Sequence, residues 1–108
     1  MGASLRYLSQ RFSMPDGMTK GLLTDIGTEE LGHLEMVGTL VTQLIRNLST
    51  GEIEKSPMGA YYIDHGTGVY PAAASGMPFT AASLAVKGDP IADLVEDLAA
   101  ESAISQRR

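Results

Sequence analysis

The chain has 108 residues, of which 44% are hydrophobic and 19% are charged, a composition that suits one small globular domain. The 8 basic and 13 acidic residues give a formal net charge of −5. This balance argues against nucleic acid as a partner, because a phosphate-binding surface needs an excess of basic residues.

The cysteine content and the apolar runs narrow the class of protein further. The chain has no cysteine, which excludes disulfides, thiolate metal ligands and cysteine nucleophiles and fits a cytoplasmic protein. Its apolar runs are far shorter than the roughly 18 residues of a membrane-spanning helix, so we expect no membrane partner. The first residues lack the basic start and apolar middle of a signal peptide.

Two helices are predicted in the first half of the chain. Leu5, Leu8 and Phe12 recur at spacings of three and four residues, which predicts a short helix over about 2–12. A turn containing proline and glycine follows. A long apolar stripe then predicts a second helix over about 18–48, formed by Leu22, Leu23, Ile26, Val37, Leu40, Val41, Leu44 and Leu48.

Four glycines lie within this second helix, where each costs about 1 kcal/mol of helix propensity relative to alanine. They are Gly21, Gly27, Gly32 and Gly38. We expect them to mark places where another helix approaches closely.

The second half of the chain is predicted to be a long loop followed by a third helix. Residues 49–88 have no sustained period and are rich in Gly, Pro, Ala and Ser, which indicates a loop that wraps the bundle or covers a neighbouring subunit. Asp89 and Pro90 provide a helix start, and an apolar stripe predicts a third helix over about 89–105. The predicted fold is all-α: a single domain over 1–108 that forms a partial bundle of three helices with a long crossover loop.

Three ionisable residues occupy positions where the helical patterns call for an apolar side chain. Glu30 lies in line with Ile26 on the second helix, and His33 is about 60° away on the same face. Glu101 continues the stripe of the third helix. Because a buried charge without a partner is costly, such groups are usually neutralised, paired or bound to a metal.

The pair Glu30 and His33 forms a Glu-x-x-His motif, which places a carboxylate and an imidazole on one helical face. In carboxylate-bridged two-metal bundles, two helices each supply Glu-x-x-His and two others each supply one Glu. Carboxylate and imidazole ligands suit manganese or ferrous iron. The spacing alone also fits a histidine that is simply hydrogen-bonded on an apolar face, and Glu101 on a second stripe favours the metal interpretation.

These residues lie within longer segments that resemble manganese catalases, in particular the short branch of the family that includes a spore-coat protein. The match covers most of residues 3–102. Its most specific part is Gly27-Thr28-Glu29-Glu30-Leu31-Gly32-His33-Leu34-Glu35-Met36, and it includes Tyr7-Leu8-Ser9-Gln10-Arg11-Phe12, Met14-Pro15-Asp16-Gly17, Gly88-Asp89-Pro90 and Asp97-Leu98-Ala99-Ala100-Glu101.

The resemblance implies a ferritin-like bundle with two manganese ions, with iron as the alternative metal, and the dismutation of hydrogen peroxide to water and oxygen. It implies that Glu30 bridges the two ions, that His33 ligates the first and that Glu101 ligates the second. It also implies that Tyr7 hydrogen-bonds a metal-bound carboxylate, so that Glu30 and Tyr7 are the candidate catalytic residues. Because the family forms hexamers with a crossover that covers neighbouring subunits, we expect a homo-oligomer.

The sequence departs from the family pattern at both ends, which suggests an internal fragment. The family's first-helix glutamate ligand would fall immediately before Met1, and its second-metal histidine would follow Arg108. A catalase-type enzyme lacking these ligands is expected to be weak or inactive alone. The alternative is a metal-binding or structural homo-oligomer, of the ferritin-like or spore-coat type, that does not turn over peroxide.

Overall fold

The structure is a computed structural model that describes residues 1–64, 69–71 and 77–105, with the side chains of 60–64, 69–71 and 104 left undescribed. Its α-helices are α1 (Gly2–Gln10), α2 (Gly17–Ile45), α3 (Thr50–Lys55) and α4 (Pro90–Ser105). Short 3-10 turns lie at Arg11–Ser13, Pro57–Tyr61 and Ala81–Ser83. Two three-residue strands, β1 (Tyr62–Asp64) and β2 (Val69–Pro71), pair antiparallel with Ile63 opposite Tyr70. The predicted all-α class is confirmed, and the small ladder is an addition to it.

The chain divides into two compact units. The first consists of Met1–Glu35 with Ala82–Arg108, and the second is Met36–Ala81. Helix α2 begins in the first unit and ends in the second. Glu30, His33, Glu101 and Tyr7 all belong to the first unit. Among the described residues, no helix is both long enough and apolar enough to span a bilayer.

Helices α2 and α4 both start at side-chain caps that the sequence contains. Before α2, the Asp16 carboxylate accepts hydrogen bonds from the amide and the hydroxyl of Thr19, at 2.7 and 2.9 Å. These bonds hold the pKa of Asp16 below its usual range. Before α4, Oδ1 of Asp89 accepts the amides of Ile91 at 3.0 Å and Ala92 at 3.2 Å. These bonds satisfy amides that the first turn of a helix leaves without partners.

The core of the first unit is small. Tyr7, Met14 and Leu23 are its buried members, and Ile26 and Leu94 pack against them. Several polar side chains are buried beside them, including Ser4 and Gln10 from the same face of α1. Because so few apolar groups are buried, the hydrogen bonds of these polar side chains weigh heavily on stability.

One of the four glycines in α2 makes the close helix contact that we expected of all four. The Ser4 hydroxyl donates a hydrogen bond of 2.7 Å to the carbonyl of Gly27. A Cβ atom on Gly27 would lie 2.7 Å from side-chain atoms of Leu8 on α1. The expectation is wrong for the other three, because a Cβ there meets no atom of the described residues within 4 Å; these are Gly21, Gly32 and Gly38.

In the second unit, the segment expected to be loop contains helix α3. Ser49 and Glu52 form a reciprocal capping box: the Glu52 amide donates to the Ser49 hydroxyl, and the Ser49 amide donates to the Glu52 carboxylate at 2.7 Å. The bond from the Ser49 amide lowers the pKa of Glu52. Ile53 is the buried residue of this helix.

Candidate metal centre

Tyr7 and Glu101 join α1 to α4 through a short hydrogen bond. The Tyr7 hydroxyl, on a side chain only 5% exposed, donates to Oε1 of Glu101 at 2.7 Å. Burial raises the pKa of Tyr7 far above its usual range, and the Glu101 hydrogen bond and the charges of Glu101, Asp97 and Glu30 act in the same direction. The phenol therefore stays protonated and serves as a fixed donor to the Glu101 carboxylate.

Glu30 and His33 form a second pair, on α2. Nδ1 of His33 lies 3.1 Å from Oε1 of Glu30, as expected for residues three positions apart on one helical face. The His33 side chain is 55% exposed and the Glu30 side chain 28% exposed. Both groups are therefore reachable by a ligand from outside the helix.

The two pairs lie near one another but do not form a closed cluster of ligands. The charge of Glu30 contributes to the raised pKa of Tyr7, so Glu30 lies within electrostatic reach of the Tyr7–Glu101 pair. Within the part of the chain that the structure describes, no three His, Asp or Glu side chains converge closely enough to hold a metal ion. The structure thus brings the predicted residues together as two pairs, Tyr7–Glu101 between α1 and α4 and Glu30–His33 on α2.

The chemistry of these donors fits manganese. Glu30 and Glu101 offer carboxylate oxygens and His33 offers an imidazole nitrogen, a set that suits manganese or ferrous iron. A two-metal bundle takes its ligands from two Glu-x-x-His helices and two further Glu helices. The exposure of Glu30 and His33 leaves room for such additional ligands. The donor set present therefore corresponds to half of such a site.

A cavity of about 350 Å³ lies beside the Tyr7–Glu101 pair. Its polar lining residues are Tyr7, Asp97 and Glu101, and the remaining walls are leucine and isoleucine side chains from α2 and α4. Sequence reasoning missed Asp97 as a site residue. The available signal was its spacing, since Asp93, Asp97 and Glu101 recur every fourth residue on α4.

Asp97 is 6% exposed, and neither of its carboxyl oxygens has a hydrogen-bond partner among the described residues. Burial raises the pKa of Asp97, and the nearby Gln10 side chain and Arg6 charge offset part of this effect. The raised pKa means that the ionised carboxyl is less stable in the folded chain than in the unfolded chain.

Asp97→Asn is expected to stabilise the chain in a pH-dependent way. The pKa of Asp97 is raised in the folded state. At a pH below the unfolded-state pKa, Asp97 is protonated in both states and costs no stability. As the pH rises through the folded-state pKa, the cost to stability grows. The variant should therefore gain about 1 kcal/mol at neutral pH and much less in acid. Urea unfolding of both proteins across this pH range measures the difference, and a gain that is independent of pH would contradict the expectation.

The interpretation of Glu101 as a metal ligand predicts that Tyr7→Phe weakens metal binding without unfolding the chain. The substitution keeps the buried ring but removes the donor that fixes Glu101. Loss of a hydrogen bond that orients a metal ligand typically lowers metal affinity about 10- to 100-fold. Manganese titration followed by the electron paramagnetic resonance signal of the free ion measures this effect. Phe12→Leu, which changes a 77% exposed side chain in the turn after α1, serves as an apolar control that should leave the affinity unchanged.

The structure defines a helical protein whose Glu-x-x-His pair on α2 and tyrosine-bonded Glu101 on α4 are the residue types that two-metal carboxylate bundles use. Comparison with known families narrows this class. The family described as manganese containing catalase matches residues 1–107, and the chain belongs to that family. The ferritin-like, partial-bundle assignment is consistent with this membership.

Curated relatives cover nearly the whole chain. Protein CotJC of Bacillus subtilis is 48% identical over 101 residues, which are 94% of this chain and 53% of the relative. A probable manganese catalase of Clostridium acetobutylicum is 35% identical over 92% of this chain and 44% of its own length. A manganese catalase of Bacillus subtilis is 33% identical over 94% of this chain and 42% of its own length. The chain spans about half the length of these relatives, and no solved structure matches it significantly.

Proposed function

We propose that this chain binds manganese through Glu30, His33 and Glu101 and contributes these ligands to a catalase-type site that dismutates hydrogen peroxide. The observation that carries the proposal is the 2.7 Å hydrogen bond from Tyr7 to Glu101, which holds one carboxylate in place near the exposed Glu30–His33 pair. Carboxylates that bind metals are in turn held in place by hydrogen bonds of this kind.

Each residue has a distinct part in this proposal. Glu30, His33 and Glu101 would hold the manganese as ligands, while the Tyr7 hydroxyl fixes the orientation of Glu101. Bound manganese would supply the two-electron redox chemistry by which one peroxide molecule is oxidised to oxygen and a second is reduced to water. The apolar walls of the neighbouring cavity, which include Leu23 and Leu94, would limit the access of bulk water and ions.

The relatives support this proposal unequally. Two of them bear the name manganese catalase, one as a probable manganese catalase, whereas the name of the 48% identical relative, CotJC, states no activity. Because Glu30, His33 and Glu101 make up half of the ligand set of a two-metal bundle, the described residues of one copy do not complete the site. Peroxide turnover by the isolated chain is therefore expected to be slow.

The proposal is tested with the manganese-loaded chain in an oxygen electrode. Oxygen release from hydrogen peroxide should exceed that of an equal concentration of free Mn²⁺, and Glu30→Ala should abolish the excess. Glu29→Ala is the matched control, because Glu29 is the exposed neighbour of Glu30 and is assigned no ligand role. Equal oxygen release by the wild type, Glu30→Ala and free Mn²⁺ would contradict the proposal.

A second candidate function is a metal-binding or structural homo-oligomer, in the cytoplasm or in a spore coat, without peroxide turnover. Apolar side chains of α2 in the second unit are between 58% and 68% exposed, and these are Met36, Val37, Leu40 and Leu44. Such a continuous apolar face is typical of a surface that another helix covers. A second copy in that place would double the Glu-x-x-His and Glu helices to the full set of a two-metal bundle.

Native mass spectrometry tests this second candidate. We expect dimers or larger assemblies that dissociate when Leu40→Glu places a charge on the apolar face. Thr42→Glu, on an exposed residue away from that face, should leave the assembly intact. Monomers of the wild type at every concentration would contradict a self-association role.

A further inference from the structure

Gln10 is a fully buried polar side chain on α1, with an exposed fraction of 0%. Its amide nitrogen donates a hydrogen bond of 3.2 Å to the carbonyl of Ala85, in the segment that leads into α4. Ala85 has a φ of 56°, a left-handed conformation that a residue with a Cβ atom keeps only where surrounding contacts enforce it. The hydrogen bond from Gln10 is one of these contacts, so it fixes the path of the chain before α4.

The segment before α4, residues 84–88, is attached to α1 at its start and to α4 at its end. At the start, the Leu84 carbonyl accepts a hydrogen bond of 3.1 Å from Nε of Arg6 on α1, beside the bond from Gln10. At the end, the Lys87 amide donates to the carboxylate of Asp93 on α4 at 2.9 Å. The segment therefore sets where α4 begins relative to α1.

Gln10 also reaches α4 directly, through Asp97. Burial raises the pKa of the Asp97 carboxyl, and the hydrogen-bonding contact with the Gln10 side chain opposes that rise. The contact is incomplete, since among the described residues neither Asp97 oxygen and not Oε1 of Gln10 has a well-formed hydrogen bond. Because buried polar atoms in this state lower stability, the contact adds little to the stability of the chain. Its main consequence is geometric, because it joins α1 to α4 at a second point.

The other point is the hydrogen bond of 2.7 Å from Tyr7 to Glu101. Tyr7 and Gln10 are three positions apart and lie on one face of α1. Asp97 and Glu101 are four positions apart and lie on one face of α4. A single contact between two helices still lets them slide and rotate, whereas a second contact about one turn away restricts both movements. The contact of Gln10 with Asp97 therefore restricts where α4 places Glu101.

We propose that Gln10 is a positioning residue for Glu101. By bridging the segment before α4 and the Asp97 carboxyl, it holds α4 in the register at which Glu101 accepts the hydrogen bond from Tyr7. The value of this placement rests on the proposed function, in which Glu101 is a metal ligand. The placement itself can be measured without metal.

Nuclear magnetic resonance of the metal-free chain, labelled with ¹³C at the tyrosine Cζ atoms, tests the placement. The signal of Tyr7 is identified by its absence from the spectrum of Tyr7→Phe. Gln10→Met keeps the length and the burial of the side chain but removes its amide. We expect the Tyr7 signal of this variant to move toward the position of tyrosine in the unfolded chain, because the hydrogen bond to Glu101 loosens.

Ser4→Ala is the control for a loss of stability alone. It removes another buried hydrogen bond of α1, of 2.7 Å, which goes to the Gly27 carbonyl on α2. It should lower stability and leave the Tyr7 signal in place. Gln10→Asn keeps a buried amide that is too short to reach both partners, so it should move the Tyr7 signal even if Gln10→Met does not fold. Circular dichroism verifies the helices, and an unmoved Tyr7 signal in a folded Gln10 variant would overturn the proposal.

Manganese titration, followed by the electron paramagnetic resonance signal of the free ion, connects the placement to the metal. Gln10→Met should lower the affinity by up to about tenfold, the lower end of the range for groups that orient metal ligands. In Tyr7→Phe, which already lacks the bond to Glu101, Gln10→Met should cause no further loss. An equal loss in both backgrounds would overturn the proposal.

The two measurements separate this role from the proposed function. A shifted Tyr7 signal in Gln10→Met, with no manganese bound by the wild type, would contradict the metal function and leave the positioning role standing. Manganese binding by the wild type, with an unmoved Tyr7 signal in folded Gln10→Met, would overturn the positioning role alone.

Discussion

Glu101→Gln is expected to weaken manganese binding by about 100-fold or more, since it removes the charge of a direct ligand, and orienting groups alone contribute about 10- to 100-fold. The glutamine side chain keeps an oxygen that can accept the Tyr7 hydrogen bond, so the contact between α1 and α4 should survive. The affinity is measured by titrating the chain with Mn²⁺ and following the electron paramagnetic resonance signal of the free ion.

Glu96→Gln is the matched control for this experiment. Glu96 lies on the same helix, is exposed and has no part in the candidate site, so its loss of charge should change manganese affinity little. Circular dichroism should show equal helix content in both variants. Equal affinities for Glu101→Gln and the wild type would show that Glu101 is not a metal ligand.

Gly27→Ala is expected to lower the free energy of unfolding by about 1–2 kcal/mol, although alanine is the better helix former. The added Cβ would stand 2.7 Å from the Leu8 side chain and 3.4 Å from its backbone nitrogen. Relief of that overlap would move α1 away from α2 and strain the hydrogen bond from Ser4 to the Gly27 carbonyl. Urea-induced unfolding followed by circular dichroism measures the change.

Gly21→Ala should raise the free energy of unfolding, if the close approach of Leu8 is what makes Gly27→Ala destabilising. A Cβ on Gly21 meets no atom within 4 Å, so the substitution should only improve helix propensity and raise stability by up to about 1 kcal/mol. The two alanine variants of one helix should thus move the urea midpoint in opposite directions. A similar gain in both variants would contradict the close packing of α1 on α2.

The helices follow from local features of the sequence, and the exceptions have physical reasons. The Asp89–Pro90 start correctly predicted α4, because capping depends on adjacent residues. Helix α3 was expected to be loop because its six residues are too few to show a period, even though its Ser49-x-x-Glu52 capping box is readable in the sequence. The close contact at Gly27 could not be told from open space at the other glycines, because it depends on where Leu8 lies.

The candidate site was predictable to the extent that its residues interrupt apolar stripes. Glu30, His33 and Glu101 stand out in this way. In the structure Glu30 pairs with His33, Glu101 pairs with Tyr7, and the charge of Glu30 reaches Tyr7. The apolar stripe of α2 identifies a face of the helix, but it does not show what covers that face. His33, which lies on it, is 55% exposed. The spacing of Asp93, Asp97 and Glu101 places Asp97 on the same side of α4, but its burial to 6% exposure depends on tertiary packing that the sequence does not show.

The most direct test is a crystal structure of the manganese-loaded protein with anomalous diffraction recorded at the manganese absorption edge. We predict anomalous peaks within bonding distance of Glu30, His33 and Glu101, with the Tyr7 hydroxyl still bonded to the Glu101 carboxylate. Ordered helices with no anomalous peak at these three residues, or manganese bound only at other side chains, would contradict the proposed metal centre.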